Sequence, residues 1–130
     1  MFILDTNTLI YYFKGVGRVA ERLLSHSPKE VGIPTVVLYE IEVGIGKSTS
    51  PKKRREQLDE LISRIALFPF GRHEALAAAS IRVRLEKEGV PIGAIDNLIA
   101  GTVLANRGTL VTHNKKEFER VPGLVCEDWF

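Results

Sequence analysis

Short apolar runs alternate with segments of helical periodicity along the whole chain, and this alternation restricts the fold more than any other feature of the sequence. Each run has only three to five residues, which is typical of strands that are buried on both faces of a sheet. The predicted strands are Phe2–Leu4, Val31–Ile33, Ala66–Phe70, Thr109–Thr112 and Leu124–Cys126. Strands that alternate with helices predict an α/β fold with a central parallel sheet of four to five strands and helices on both faces.

The segments between these runs carry the periodicity and the end signals of helices. Thr6, Asn7 and Thr8 supply N-cap chemistry for the first helix, and Gly15 with Gly17 separates it from the second. The predicted helices cover residues 9–13, 19–24, 35–44, 52–65, 75–85 and 92–105, with a loop over residues 48–51.

The composition is that of one ordinary globular domain. The chain has 130 residues, of which 45% are apolar and 26% charged, so we expect a single domain over residues 1–130. No apolar stretch approaches the roughly 20 residues that span a bilayer, and we expect no membrane segment. The first residues, Met1 to Asp5, carry no basic leader and no long apolar segment, which favours a cytoplasmic protein.

The positive charge is concentrated in two short runs. Basic residues number 18 and acidic residues 16, a balance that suits a polyanionic partner without requiring one. Lys52–Arg55 forms the first run and Lys115–Lys116 the second. Two interpretations stay open for these runs: they bind phosphate groups, or they are solvated surface where a helix begins.

Carboxylates recur where the predicted strands end. Asp5 directly follows the first strand, Asp96 lies near the start of a helix, and Glu117 lies just beyond the fourth strand. Glu40 lies on the helix after the second strand, and we assign it to the inward side of that helix. The same side is predicted to hold Val36, Val37, Val43 and Gly44. Because ligands of open α/β sheets bind outside the carboxyl ends of the strands, these acids are candidates for one site.

Each acid also has a structural interpretation. Asp5 could cap the first helix, Asp96 could interact with a helix dipole, and Glu40 could be a surface residue. Together, however, carboxylates at one edge of a sheet repel one another, and a divalent cation would keep them ionised. A set of oxygen ligands without cysteine or paired histidines favours Mg²⁺ or Mn²⁺ over Zn²⁺.

Four segments, in order along the chain, resemble the successive motifs of PIN-domain ribonucleases. They are Leu4–Asn7, Tyr39–Gly44, Ile92–Ala100 and Leu110–Phe118. The resemblance spans the whole chain and is greatest to the VapC toxins of type II toxin–antitoxin systems, including the ending over Phe118–Leu124 and Glu127–Trp129. It implies a PIN-like fold and a Mg²⁺-dependent endoribonuclease, with Mn²⁺ as a substitute, that inhibits translation. The relatives further imply a cognate antitoxin and a homodimer. They imply a structured tRNA loop or rRNA as the substrate, and of these we expect a tRNA anticodon loop.

The same resemblance assigns the site by position. Asp5, Glu40 and Asp96 match the three acids of the PIN site. The fourth acid is open, because many relatives have an acid where Asn114 stands, so this carboxylate is either absent here or supplied by Glu117.

Supporting roles and chemistry follow from this assignment. Thr6, Asn7 and Thr112 resemble polar residues that orient the acids, or they only cap helices and end a strand. Phosphodiester hydrolysis needs a deprotonated water, neutralisation of charge on the phosphate and help for the leaving oxygen. We expect Asp5 and Asp96 to be the direct metal ligands, with Glu40 bound through water or orienting the attacking water. His113 is the one histidine near this site, and substrate contact is one interpretation of it.

Two other function classes compete with a nuclease. A Mg²⁺-dependent phosphoesterase would also use carboxylates, but the sequence has no glycine-rich phosphate loop. A non-enzymatic RNA-binding module would favour basic residues and exposed aromatics over converging acids.

Overall fold

The computed structural model describes residues 1–130 and contains five strands and seven α-helices. The strands are β1 (Phe2–Leu4), β2 (Val31–Pro34), β3 (Ala66–Phe68), β4 (Thr109–Val111) and β5 (Val125–Glu127). The helices are α1 (Thr6–Lys14), α2 (Val19–Leu24), α3 (Thr35–Lys47), α4 (Pro51–Ile62), α5 (Arg72–Lys87), α6 (Ala94–Ala105) and α7 (Lys115–Phe118), and a 3₁₀ turn covers Pro28–Glu30. The predicted alternation of strands and helices is confirmed.

All five strands run parallel, in the order β3-β2-β1-β4-β5. The chain moves outward from β1 to β3 and then returns past β1 to β4. Because parallel crossovers are right-handed, this reversal puts the helices before and after it on opposite faces of the sheet. The order of the strands changes direction between β1 and β4, which is where ligands bind in sheets of this kind.

The core surrounds the two central strands. Ile3, Leu4, Leu110 and Val111 have no exposed surface. Leu4 is aligned with Val111 in the register of β1 and β4, so the residues that follow these two strands emerge side by side at the edge of the sheet.

Helices α5 and α6 pack unusually close to each other at Gly101. A Cβ atom at this position would lie 2.6 Å from the Cβ of Ala78 on α5. A larger residue than Gly101 would therefore push the two helices apart. The close contact sets the position of α6, the helix that carries Asp96.

Several predicted boundaries differ from the structure for identifiable reasons. β3 ends at Phe68, two residues before the predicted end, since Pro69 has no N–H to continue the ladder. Pro51, predicted to lie in a loop, is the first residue of α4, a position that proline favours. The N-cap of α1 is Asp5, where Thr6, Asn7 and Thr8 were predicted to supply it.

The predicted inward face of α3 is partly wrong. Its buried residues are Val37, Ile41 and Ile45, which are spaced four apart along one stripe. Val43 is 39% exposed because it lies about half a turn away from that stripe, and Gly44 is exposed although it lies beside the stripe.

None of the helices combines the length and the apolar character that crossing a bilayer requires.

Candidate active site

Asp5 is fixed at the junction of β1 and α1. Its N–H donates to the carbonyl of Val111 at 3.1 Å, and its Oδ1 accepts from the N–H of Thr8 at 2.9 Å. The residue is only 6% exposed. Burial raises the pKa of the Asp5 carboxyl, while hydrogen bonds from Thr112 and Thr8 lower it. Asp5 is thus a helix cap and at the same time a buried carboxyl at the point where the strand order reverses.

Glu40 is tied to the same edge of the sheet. It lies in the second turn of α3, where it is half-buried, and its Oε1 accepts a hydrogen bond from the hydroxyl of Thr6. Thr6 follows Asp5 directly and is the first residue of α1. The hydroxyl of Thr6 therefore holds the carboxylate of Glu40 close to Asp5.

Asp96 is the acid on which the other three converge. It lies in the first turn of α6 and is half-buried. Burial raises its pKa to about 7, with further contributions from the charge of Glu117, a hydrogen bond with Glu117, and the charges of Asp5 and Glu40. The four predicted acids therefore lie within electrostatic reach of one another.

Asn114 and Glu117 contact each other at the end of β4. The Asn114 amide donates to Glu117 Oε2 at 2.6 Å, and the N–H of Gly93 donates to Glu117 Oε1 at 3.2 Å. The N–H of Asn114 donates to the hydroxyl of Thr112 at 3.0 Å. This arrangement favours Glu117 as the fourth carboxylate, with Asn114 and Thr112 holding the turn that orients it.

Two other predicted residues lie at the margin. Asn7 is exposed on the first turn of α1, and no side-chain hydrogen bond joins it to the acids.

His113 points to the tail of the chain, where its Nδ1 lies 2.9 Å from Asp128 Oδ2 and its ring stacks on Phe130 with 4.2 Å between ring centres. The charge of Asp128 contributes to raising the pKa of Asp5. Sequence reasoning missed Asp128, because it lies outside every strand and helix pattern that marked the other acids.

The donor set suits a hard divalent cation. All four acids offer carboxylate oxygens, the ligands that Mg²⁺ prefers in proteins. Burial and the neighbouring carboxylates both raise the pKa of Asp96, and a bound cation would favour its charged form against both effects. No three acidic, histidine or cysteine side chains lie close enough together to surround one ion in this structure, so the acids form an open cluster.

Comparison with known proteins identifies the family. The PIN domain family matches residues 2–124. The tRNA(fMet)-specific endonuclease VapC of Salmonella typhimurium is 32% identical over 128 residues, covering 98% of this chain and 97% of that protein. Ribonuclease VapC2 of Rickettsia felis is 31% identical over 137 residues, covering 99% and 98%.

Solved structures agree with this assignment. One is VapBC2 from Rickettsia felis bound to a DNA fragment from its promoter, in which the matching chain has a TM-score of 0.92 and 32% identity. Another is DNA-bound VapBC from Salmonella typhimurium, with a TM-score of 0.92 and 33% identity. Each match covers 99% of this chain and 98% of the other. The PIN-like fold is confirmed, and the chain belongs to the VapC ribonucleases of the PIN-domain family.

Proposed function

We propose that this protein is a Mg²⁺-dependent endoribonuclease toxin that cleaves a tRNA in its anticodon loop and so inhibits translation. The observation that carries the proposal is the cluster of Asp5, Glu40, Asp96 and Glu117 where the strand order reverses. Mn²⁺ can take the place of Mg²⁺, because both prefer oxygen ligands. Membership of the VapC ribonucleases removes the basis for a phosphoesterase of another class or a non-enzymatic RNA-binding module.

Each acid has a distinct role in this proposal. Asp5 and Asp96 hold the Mg²⁺ directly. When bound, Mg²⁺ supplies positive charge that offsets the negative charge developing on the phosphate in the transition state. Glu40, oriented by the hydroxyl of Thr6, positions the attacking water and draws its proton. Glu117 adds the fourth negative charge that the cation balances.

The choice of a tRNA rests on relatives. The VapC proteins of Salmonella typhimurium and Shigella flexneri, 32% and 33% identical to this chain, are both named tRNA(fMet)-specific endonucleases. Both alignments extend over 128 residues and 98% of this chain, so the likeness includes the site and its surroundings. The anticodon loop presents unpaired nucleotides, and these are accessible to an enzyme in a way that paired nucleotides are not.

An antitoxin partner is supported by the solved relatives, which are VapBC complexes. The chain also has a cavity of about 280 Å³ between α1, α2 and α4, whose lining is partly apolar and partly polar. Tyr12, Leu24 and Leu61 contribute to its lining, and Leu24 is 69% exposed. We propose that an amphipathic segment of the cognate antitoxin occupies this cavity.

A homodimer is supported by exposed apolar residues on α5. Leu76 is 60% exposed and Val83 is 63% exposed. They are seven residues apart and therefore share one face of the helix. Contact between two copies of this face would cover both side chains, and light scattering on the purified protein measures the resulting mass.

Mapping cleavage in living cells tests the proposed function. The protein is induced briefly without its antitoxin, the 5′ ends of all RNAs are sequenced, and an Asp96→Asn strain serves as the control. The proposal predicts new 5′ ends at one position in a tRNA anticodon loop, absent from the control. New ends scattered over messenger RNAs, or equal in both strains, would contradict the proposed substrate.

A further inference from the structure

Two cavities meet between α1, α3 and the start of α4. The first, of about 320 Å³, contains Glu40, Lys14 and Arg54 in its lining. The second, of about 380 Å³, contains Lys14, Lys53 and Arg54. Ser48 lines both. Because the two cavities share Lys14, Ser48 and Arg54, they form a groove that leads from Glu40 in the acid cluster to the basic start of α4.

Arg54 packs against an aromatic ring in this groove and has one unsatisfied donor. Its guanidinium lies over the ring of Phe13, with Cζ 4.8 Å from the ring centre. One terminal guanidinium nitrogen, Nη1, is buried and has no hydrogen-bond partner within the protein. A buried donor on a charged group is costly unless it is paired. Arg54 lines both cavities, so the rest of its guanidinium is available to a ligand oxygen in the groove.

The neighbouring arginine differs in this respect. Arg55 forms an ion pair with Glu42 and lies 3.8 Å from Asp59, so its charge is already balanced. Lys14, Lys53 and Arg54 take part in no ion pair. The basic run at the start of α4 is therefore split into a neutralised side and a side with uncompensated charge.

The ligand that fits is an anion with several acceptor oxygens. The acid on the groove, Glu40, accepts from Thr6 and forms no ion pair with Arg54. A guanidinium stacked on an aromatic ring presents its N–H groups in a plane, which matches two oxygens of one phosphate. Lys14 and Lys53 add point charges on either side.

We propose that Arg54, with Lys14 and Lys53, binds a backbone phosphate of the RNA strand next to the phosphate that is cleaved. This inference rests on the proposed function, because it takes the acid cluster as the place of cleavage. Within the basic run Lys52–Arg55, we therefore expect Lys53 and Arg54 to contact RNA and Arg55 not to contact it.

The test compares Arg54→Gln with Arg55→Gln, both placed in an Asp96→Asn background so that the RNA probe stays intact. Fluorescence anisotropy of a short fluorescein-labelled single-stranded RNA gives the affinity at several salt concentrations. We expect Arg54→Gln to reduce the slope of log affinity against log salt by about 0.7, the value for one phosphate contact on a single strand. Arg55→Gln should leave the slope unchanged, and Arg54→Lys should restore it. Equal slopes for Arg54→Gln and its parent would overturn the proposal.

Cleavage kinetics separate this inference from the proposed function. With Mg²⁺ present, Arg54→Gln in the otherwise unaltered protein should raise KM and leave kcat unchanged, since a contact with a phosphate that does not react serves substrate and transition state alike. If the unaltered protein fails to cleave RNA, the proposed function fails, and the anisotropy slopes still decide the subsite. If it cleaves RNA and Arg54→Gln has the same KM and slope, only the subsite fails.

A protein ligand in the groove is the competing outcome. Should Arg54→Gln bind RNA normally yet bind the co-expressed antitoxin less tightly, the groove accepts an acidic side chain of that partner and the RNA subsite is wrong. Thermal unfolding of each variant controls for folding. Arg54→Gln removes an unpaired buried donor, which is stabilising, and the contact with Phe13, which is destabilising, so the melting temperature should change little.

Discussion

The carboxyl group of Glu117 on α7 lies close enough to that of Asp96 on α6 for its charge to contribute to the raised pKa of Asp96. Two carboxylates near each other repel, and protonation of one of them relieves the repulsion. This contact adds to the burial that raises the pKa of Asp96 to about 7. The acid cluster therefore holds more negative charge than the fold alone can accommodate, and either a proton or a cation relieves it.

The stability of the metal-free protein should depend on pH through Asp96. Its folded pKa of about 7 lies above the ordinary value of 3.8, so the folded state holds a proton that the unfolded state has released. This contribution to stability is fully present below 3.8 and is lost as the pH rises through about 7. In EDTA the melting temperature should therefore fall as the pH rises through about 7. Asp96→Asn should flatten the fall, and an unaltered pH profile in that variant would exclude Asp96 as the cause.

Asp5 is both a site residue and the N-cap of α1, so two substitutions at this position should separate its effects on cleavage and on stability. Asp5→Asn keeps an oxygen that can accept from the N–H of Thr8, whereas Asp5→Ala removes it. Both variants should lose RNA cleavage, and Asp5→Ala should in addition lose about 1 kcal/mol of unfolding free energy. Urea unfolding and a cleavage assay measure the two effects. Cleavage retained by either variant would refute the role of Asp5.

Glu117 should matter more than Asn114. Glu117→Gln should reduce cleavage at least tenfold, about 1.4 kcal/mol of transition-state stabilisation, and raise the Mg²⁺ requirement. Asn114→Ala should have a smaller effect, because the N–H of Gly93 still orients the Glu117 carboxylate. A Mg²⁺ titration of both variants decides between them. Impairment by the Asn114 change alone would mean a site of three acids and an amide.

Thr6 should act as a positioning residue for Glu40. Thr6→Val removes the hydroxyl that donates to Glu40 and keeps the shape of the side chain. Loss of a hydrogen bond to a charged group is worth about 1.5–3 kcal/mol, so kcat should fall by roughly tenfold or more. Thr6→Ser, which keeps the hydroxyl, should restore it. If the valine and serine variants have equal kcat values, the hydrogen bond has no role in the reaction.

Much of the architecture could be predicted because the features that determine it are local in the sequence. The run Phe2–Leu4 ends at Asp5, and a parallel sheet necessarily brings such strand ends to one edge. The fold was predicted correctly on this basis. The buried face of α3 was harder to predict, because Val43 is apolar and yet lies on an exposed side of the helix.

Other features depend on tertiary neighbours that the sequence does not reveal. Arg54 and Arg55 are equivalent in a basic run, and only the folded chain places Phe13 beneath one and Glu42 beside the other. The contact between Asp128 and His113 joins residues on different segments and has no local signal.

Cleavage of purified tRNA by the purified protein is the most direct measurement of the central claim. The reaction is followed with Mg²⁺, with Mn²⁺ and in EDTA, and Asp96→Asn is assayed beside the unaltered protein. The account predicts cleavage with either cation, none in EDTA, and none by Asp96→Asn under any condition. Full cleavage in EDTA, or by Asp96→Asn, would contradict it.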